Sequence, residues 1–271
     1  MKNNYILKNH RFLVSEGNSE MKATLVVYEV IRIIQGVPLF FNEHVTRLKK
    51  SLSLCNKILE IDIQSLHQNI KLLSEKNQTF EGNILLKIVF NDDEHELEAK
   101  FIDHKYPSLN EYEKGVNLGI LSIERNNPKA KVVNMTVREL ADAKISETGV
   151  YEVLLIDSEN NIREGSRSNF FAIKNGALYS APLNKVLKGI TLEKILQIAD
   201  NEKIPVYFEN ISIDNIETID AAFITGTSPK ILPVNSIGKT HFDVDNSTLR
   251  FMMKAFDGLL EKDIQQKRDA E

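Results

Sequence analysis

The alternation of apolar and polar residues has the period of a β-strand near the start of the chain. The run TLVVYEVIRIIQGVPLFF (24–41) is rich in β-branched and aromatic residues, which favour strands. Gln35 and Gly36 interrupt it, and glycine supplies the positive φ that a tight hairpin turn requires. The pattern therefore predicts a β-hairpin in a small sheet.

The period then changes to that of a helix. Asn42 is of a residue type that caps helix N-termini, and apolar residues follow at helical spacing, at Val45, Leu48, Leu52 and Cys55. The pattern of residues 65–77 predicts a second helix. Two further strands are then predicted, connected by a turn at DDEH (92–95). These elements predict a small α+β domain.

From residue 106 to 117 the pattern breaks into YPSLNEYEKGVN, which is typical of an interdomain linker. Strand patterns then alternate with helical ones, and Asn175 with Gly176 is a strong hairpin signal. We therefore predict an α+β fold of two domains. A small α+β domain occupies residues 1–114, and a larger, β-rich domain occupies residues 115–271.

Composition narrows the class of protein. A chain of 271 residues with 42% hydrophobic residues can bury a sizeable core. The net charge is −4 and the 34 lysines and arginines are dispersed, which argues against nucleic acid or an anionic membrane as a partner. The single cysteine, Cys55, excludes an internal disulfide, and no apolar run reaches the length of a membrane span. We expect a cytoplasmic protein.

Several kinds of site lack their sequence signals. The six histidines show no metal-ligand spacing, so we expect no metal. The chain contains no GxSxG, Walker A or GxGxxG string, which gives little support to a hydrolase or a nucleotide-binding loop. His44 is predicted to be a partly exposed or packing histidine rather than a catalyst.

Seven short strings occur in the order, and at about the separations, found in one enzyme family. They are YEVIR, FNEHVTRL, KVVN, YEVLLID, IREGSRSNFFAI, LKGIT and FITGTSPKILPV. In these strings the chain resembles the class IV pyridoxal-phosphate aminotransferases, which include branched-chain and D-amino-acid aminotransferases and aminodeoxychorismate lyase. The resemblance implies a two-domain enzyme of fold type IV, with pyridoxal 5′-phosphate (PLP) between its domains. It also implies a homodimer whose partner chain borders each active site.

Lys131 matches the lysine that binds the cofactor aldehyde in this family. That role needs a neutral amine, which burial and nearby positive charge favour, and the amine released by the substrate can act as a base toward the α-proton. Lys129 is the neighbouring alternative. The family places its lysine three residues before an asparagine, here Asn134, so the resemblance favours Lys131.

Glu164 matches the family's partner of the pyridine nitrogen. A carboxylate there favours the protonated ring, which keeps it a good electron sink. Without the flanking residues of IREGSRSN, Glu164 would be interpreted as an exposed turn glutamate.

The resemblance implies three contacts to the cofactor phosphate. Arg47 offers a fork of N–H donors, although a solvated helix arginine is the alternative. The backbone amides of Ile190 and Thr191 are expected at a helix N-terminus, where anions bind. Gly226 and Thr227 can form an anion-holding turn with a hydroxyl beside it.

The substrate side of the site differs most from the family pattern. Tyr28 matches a tyrosine at the edge of the active site, although a tyrosine in an apolar strand is often only part of the core. Many relatives carry an arginine after GIT, where this chain has Leu192, and an arginine-glycine pair where it has IVFNDDEH. Arg32 and Lys87 are the candidates for binding the substrate carboxylate.

The resemblance therefore implies an aminotransferase that moves an amino group between an amino acid and a 2-oxo acid. One alternative is aminodeoxychorismate lyase, which uses the same lysine, glutamate and phosphate site but eliminates pyruvate. The other is a scaffold that kept the fold without catalysis. Lys131, Glu164 and Arg47 favour an enzyme over this scaffold.

Overall fold

The computed structural model describes residues 4–15, 23–91, 94–124, 128–133 and 135–269. The chain forms two compact units. The first comprises Met1–Lys105, Ala130–Val133 and Leu260–Glu271, and the second comprises Tyr106–Lys129 and Asn134–Leu259. Each unit thus gathers segments that are distant in the sequence. The predicted domain boundary at residue 114 stays a prediction.

A six-stranded sheet with two helices makes up most of the first unit. The strands are β1 (Tyr5–Lys8), β2 (Arg11–Val14), β3 (Leu25–Ile34), β4 (Val37–Pro38), β5 (Gly82–Asn91) and β6 (Glu94–Ile102). Their order in the sheet is β2-β1-β6-β5-β3-β4. The helices are α1 (Phe41–Leu54) and α2 (Ile63–Asn77). Helix α1 packs on β3, and the apolar stripe predicted for it is buried at Val45, Leu48 and Leu52.

The predicted hairpin is confirmed, and the predicted cap of α1 is wrong. Gln35 and Gly36 connect β3 to β4 with φ of 53° and 79°, as expected for a tight turn. Helix α1 begins at Phe41, and Phe40 occupies the capping position without a side-chain cap. Phe41 is buried whereas Asn42 is exposed, so burial of the aromatic ring decides where the helix begins.

The second unit is built on a large mixed sheet. Its strands are β7 (Val116–Ser122), β8 (Glu152–Ile156), β9 (Asn161–Gly165), β10 (Asn169–Lys174), β11 (Ala177–Ser180), β12 (Val206–Phe208), β13 (Ile211–Ser212), β14 (Ala221–Gly226), β15 (Lys230–Ile237) and β16 (Thr240–His241). Their order is β12-β11-β10-β14-β15-β7-β8-β9-β13, and β16 pairs with β15. The helices are α3 (Leu109–Lys114), α4 (Met135–Thr148) and α5 (Ile190–Asn201), with a 3-10 helix at Ile213–Thr218. Helix α6 (Ser247–Asp269) belongs to this unit up to Leu259 and to the first unit from Leu260.

The stretch predicted to be an irregular linker contains α3. Ser108 Oγ accepts the N–H of Glu111 at 3.2 Å, and the Glu111 carboxylate accepts the N–H of Ser108 at 2.7 Å. This reciprocal capping box stabilises a helix start, and the spacing S-x-x-E was its sequence signal. The other prediction for this part of the chain is confirmed, because Asn175 and Gly176 connect β10 to β11 with φ of 51° and 76°.

Two predicted features lie partly or wholly outside the described residues. They are the turn at 92–95, of which 92 and 93 are not described, and Asn134. Within the described part of the chain, no helix combines the length and the apolarity needed to cross a membrane. Among the same residues, no group of three or more histidine, cysteine or acidic side chains is placed to hold a metal ion.

Candidate active site

Residues 130–133 join the first unit beside β3. Their backbone pairs with β3 in an antiparallel bridge. The N–H of Tyr28 donates to the carbonyl of Lys131 at 3.1 Å, and the N–H of Lys131 donates to Oγ of Ser51 in α1 at 3.1 Å. The backbone of Lys131 is therefore held from two sides. Its Nζ lies 4.7 Å from the centroid of the Tyr28 ring, a distance at which a ring face attracts a cation.

A buried ionic cluster surrounds Glu29 on the α1 side of β3. Arg47 donates from Nε to Oε1 at 2.7 Å and from Nη2 to Oε2 at 2.5 Å. His44 donates from Nδ1 to Oε2 at 2.7 Å. The bidentate bond fixes the plane of the Arg47 guanidinium. His44 was predicted to be either partly exposed or a packing histidine, and its burial confirms the second alternative.

The ionisation state of each member of the Glu29 cluster follows from its burial and its partners. Burial by itself would raise the pKa of Glu29, but the charge and hydrogen bonds of Arg47, with the hydrogen bond of His44, lower this pKa to about 2. Burial lowers the pKa of His44, although Glu29 partly opposes that shift. At neutral pH the cluster therefore contains a carboxylate, a guanidinium and a neutral imidazole that carries its proton on Nδ1.

Sequence reasoning missed Glu29, and a signal for it existed. Alternate residues of a strand face the same side of a sheet, and Val27 and Ile31 flank Glu29 on the buried side. A carboxylate at a buried position requires an ionic or hydrogen-bonding partner. The helical residues His44 and Arg47, three apart on one face of α1, supply that partner.

The opposite face of the same sheet carries the predicted substrate residues. Tyr28 in β3 is directly opposite Lys87 in β5. Arg32 lies four residues after Tyr28 in the same strand, and therefore on the same face of the sheet. Lys87 Nζ lies 3.3 Å from Glu98 Oε1, which is also 3.0 Å from Lys100 Nζ. Two lysines (+2) and one glutamate (−1) leave this group with a charge of +1. Burial would raise the pKa of Glu98, but the two lysines lower it, so the carboxylate is ionised at neutral pH.

In the second unit, Glu164 lies near the end of β9 and is buried. The N–H of Leu187 donates to its Oε2 at 3.2 Å, and Nδ2 of Asn169 lies 3.5 Å from the same oxygen. Asn169 Nδ2 also donates to the carbonyl of Leu187 at 2.8 Å. The alternative interpretation of Glu164 as an exposed turn glutamate is excluded, because the residue is buried and neutral amide donors orient its carboxylate.

Helix α5 begins where the sequence predicts a helix N-terminus. Gly189 is its capping residue and provides no side-chain cap, so Ile190 and Thr191 are the first helical residues. The first amides of a helix have no partner within the helix and attract anions. Leu192, where many relatives have arginine, is fully buried in this helix.

The end of β14 lies at the same end of the sheet as the start of α5. Asn169 pairs with Thr225 across β10 and β14, and the side chain of Asn169 lies against Gly189. Gly226 and Thr227 directly follow Thr225. The structure thus brings the predicted phosphate residues of the second unit to one end of its sheet, while Arg47 and Lys131 belong to the first unit.

A second buried carboxylate, also missed by sequence reasoning, organises the loop after Glu164. Glu152 accepts the N–H of Arg167 at 2.5 Å and the hydroxyls of Ser166 at 3.3 Å and Ser168 at 3.0 Å. Burial raises the pKa of Glu152, and these donors oppose the shift. A Cβ on Gly165 would lie 2.1 Å from Oγ of Ser168, so this loop requires glycine at that position.

Comparison with known proteins identifies the family. A family model described as amino-transferase class IV matches residues 26–237, which is more than half of the chain. The chain belongs to the class IV aminotransferase family. This enzyme is 29% identical over 222 residues to a probable branched-chain-amino-acid aminotransferase of Thermotoga maritima, covering 80% of this chain and 78% of the relative. It is 27% identical over 223 residues to a D-alanine aminotransferase of Bacillus licheniformis, covering 78% of each chain.

Solved structures show the same fold. The crystal structure of the branched-chain amino acid aminotransferase of Escherichia coli matches the enzyme with a TM-score of 0.86 at 23% identity, covering 96% of this chain and 95% of that chain. The predicted two-domain α+β fold of type IV is therefore confirmed. The enzyme is a PLP-dependent aminotransferase that transfers an amino group between an amino acid and a 2-oxo acid.

The residues of the second unit fit this cofactor. Thr225 is fully buried, and its Oγ1 has no hydrogen-bond partner among the described residues. An unsatisfied buried hydroxyl costs about 1–3 kcal/mol, so its place beside Gly226 suits a bound polar group. Helix α5 offers amide donors at its uncapped start, and Glu164 offers an oriented carboxylate. A phosphate and a protonated ring nitrogen are the complementary groups.

Proposed function

We propose that Lys131 is the residue to which PLP binds covalently, with Arg47 at its phosphate and Glu164 at its ring nitrogen. The placement of Lys131 carries this proposal, because its backbone is held by β3 and Ser51 and its amine lies over the Tyr28 ring. Arg47 is held in a fixed plane by Glu29, as recognition of a phosphate by a fork of donors requires.

Ile190, Thr191, Gly226 and Thr227 are the proposed phosphate contacts of the second unit. The uncapped start of α5 supports the first two, and the unsatisfied hydroxyl of Thr225 beside Gly226 supports a polar group there. When bound, the cofactor supplies an electron sink for the carbanion at the substrate's α-carbon. Lys131 Nζ then takes the α-proton and returns it during the transfer.

The proposed substrate is an α-amino acid with a short apolar side chain. The names of the two curated relatives, a branched-chain and a D-alanine aminotransferase, share this class of substrate.

Lys87 is the proposed anchor of the substrate carboxylate, because it belongs to a group of charge +1 on the face that carries Tyr28. Arg32, on the same face, is the second candidate. Lys87→Met is expected to raise KM for the amino acid more than it lowers kcat.

Covalent trapping tests the lysine assignment. Borohydride reduction of the holoenzyme, followed by peptide mass spectrometry, is expected to find the cofactor on Lys131. Lys131→Ala is expected to lose this adduct, whereas Lys129→Ala, two residues away, is the matched control and retains it. An adduct that survives in Lys131→Ala would show that another lysine has this role.

The substrate class is tested by mixing the holoenzyme with single amino acids. Conversion of the bound cofactor to its amine form, followed by absorbance, is expected with leucine, valine or alanine of one configuration. Comparison of L and D forms determines the stereochemical preference. Pyruvate release from aminodeoxychorismate without such conversion by any amino acid would instead favour the lyase.

We also propose that the enzyme is a homodimer, as the family resemblance implies. Light scattering during size-exclusion chromatography is expected to give twice the chain mass of 30.9 kDa. A monomer that is fully active would contradict this proposal.

Two further expectations from the sequence are also proposals. The cytoplasmic location is supported by the single cysteine, and the domain boundary at residue 114 is supported by the change of sequence pattern at 106–117.

A further inference from the structure

We infer that Asn169 is a positioning residue that fixes the separation between Glu164 and the start of α5, and thereby the separation between the ring and phosphate contacts of PLP. The inference rests on the proposed roles of Glu164 and of Ile190 with Thr191. Asn169 itself is not proposed to touch the reacting atoms. Its side-chain amide contacts both parts of the site.

The nitrogen of this amide connects Glu164 to the segment before α5. Nδ2 of Asn169 donates to the carbonyl of Leu187 at 2.8 Å and lies 3.5 Å from Oε2 of Glu164. The N–H of Leu187 donates to that same oxygen at 3.2 Å. The three groups form a closed arrangement, and all three residues are buried. Water therefore does not readily replace any of these donors.

The oxygen of the amide limits how Gly189 approaches. A Cβ on Gly189 would lie 2.2 Å from Oδ1 of Asn169, whereas the next nearest atoms are 3.5 Å and 3.7 Å away. Gly189 has a φ of −67°, which any residue adopts, so space and not backbone conformation requires glycine here. The start of α5 thus rests against Asn169 through one atom of its side chain.

The position of Asn169 on β10 makes it a rigid reference point. It pairs with Thr225 of β14, and β10 is an inner strand of the sheet. Neither an aspartate nor a glutamine would preserve these contacts. Aspartate would place a second carboxylate against Glu164, and glutamine would add a methylene where Gly189 already lies in contact.

The test measures PLP affinity of the full-length apoenzyme by titration, together with the melting temperature of the same sample. Asn169→Ala and Gly189→Ala are each expected to weaken PLP binding about tenfold, since each displaces a buried, hydrogen-bonded contact. In the double variant, the additional Gly189→Ala change is expected to weaken PLP binding by a further factor of less than about three. The reason is that Asn169→Ala has already removed the atom that the new Cβ would meet. Independent losses that multiply to about a hundredfold would overturn the inference, as would an unchanged affinity in Asn169→Ala.

Asn161→Ala is the matched control. Asn161 is buried to nearly the same extent as Asn169, and its Nδ2 contacts the carboxylate of Asp157 and not that of Glu164. This variant is expected to lower the melting temperature of the apoenzyme and to leave PLP affinity unchanged. Equal loss of PLP affinity in Asn161→Ala and Asn169→Ala would show that any buried amide has this effect, and would reject a positioning role.

The absorbance of bound cofactor separates this inference from the roles on which it rests. Glu164→Gln is expected to change the spectrum of the bound cofactor and to weaken its binding. If Glu164→Gln changes neither, the proposed role of Glu164 is wrong and the inference falls with it. If Glu164→Gln changes both but Asn169→Ala changes neither, only the role of Asn169 is wrong.

Discussion

Glu29 in the first unit and Glu152 in the second are buried to nearly the same extent, with 0% and 4% of each residue exposed. Their pKa values nevertheless shift in opposite directions. Burial would raise both, but the pKa of Glu29 falls to about 2 whereas that of Glu152 rises above its usual value. Burial alone therefore does not decide the charge of a buried carboxylate.

The partners explain the difference. Glu29 faces the full charge of Arg47 at 2.5 Å and 2.7 Å, and a charged partner favours the ionised form strongly. Glu152 accepts hydrogen bonds from one backbone N–H and two hydroxyls, which are neutral dipoles. The first arrangement orients a guanidinium, whereas the second holds the loop that follows Glu164.

The largest expected effect is that of Glu29→Gln. Loss of the carboxylate leaves Arg47 and His44 mostly buried without their anion, and breaking such a pair costs about 3–5 kcal/mol. Chemical denaturation is expected to show this loss in the free energy of unfolding. The variant should also bind PLP more weakly, because the Arg47 plane is no longer fixed. A decrease in the free energy of unfolding below about 1 kcal/mol would show that the charge of Glu29 does not stabilise the fold as strongly as expected.

Glu152→Gln is expected to have a smaller effect. One amide oxygen can still accept the N–H of Arg167, and the new NH₂ can donate to the hydroxyl of Ser168, which accepts as well as donates. The loss should be about 1 kcal/mol, the value of one neutral hydrogen bond. If Glu152→Gln cost as much as Glu29→Gln under the same denaturation conditions, the contrast between charged and neutral partners would be lost.

The two carboxylates should give pH dependences of opposite sign. For Glu29, the folded pKa of about 2 lies below the ordinary 4.5, so its stabilisation is present above pH 4.5 and is lost as the pH falls toward 2. The full shift corresponds to about 3 kcal/mol. For Glu152, the folded pKa lies above 4.5, so its contribution is greatest below pH 4.5 and declines as the pH rises through the folded value. Unfolding free energies of each glutamine variant, subtracted from those of the parent at each pH, measure both slopes, and slopes of the same sign would contradict the contrast.

The smallest expected effect concerns His44. Its folded pKa lies below the ordinary 6.5, so the neutral form is stabilising above pH 6.5 and this stabilisation is lost as the pH falls toward the folded value. His44→Asn keeps an N–H donor near Glu29 but removes the titration. Between pH 7 and pH 5 the parent should lose stability relative to this variant. Parallel stability curves for the two proteins would show that His44 does not titrate in this range.

The elements of the fold were predictable where one local pattern controlled them. Positive φ angles occur at the two predicted turns, Gln35 with Gly36 and Asn175 with Gly176. These turns were predictable because few residue types tolerate that conformation. The start of α1 was not predictable from Asn42, because burial of Phe41 outweighs the preference for a polar cap. Helix α3 was missed because a six-residue helix has no apolar period, and only its capping box indicates it.

The candidate site was predictable as residue types but not as contacts. Lys131, Arg47 and Glu164 were chosen from strings that resemble the family, and those strings carry no distances. Nothing in the sequence pairs Arg47 with Glu29, and no local signal connects Asn169 to Gly189. These contacts depend on strand pairing and on the packing of α1 and α5 against their sheets.

The sequence by itself determined the family, the hairpin turns and the apolar faces of the helices, because each depends on neighbouring residues or on a fixed order of short strings. The tertiary structure decided which charges meet. Glu29 and Arg47 are 18 residues apart, Glu164 and Leu187 are 23 apart, and Lys131 and Ser51 are 80 apart. Hydrogen bonds over such separations exist only after strands have paired, and only then are the side chains of Arg47 and Glu164 and the backbone of Lys131 held in place.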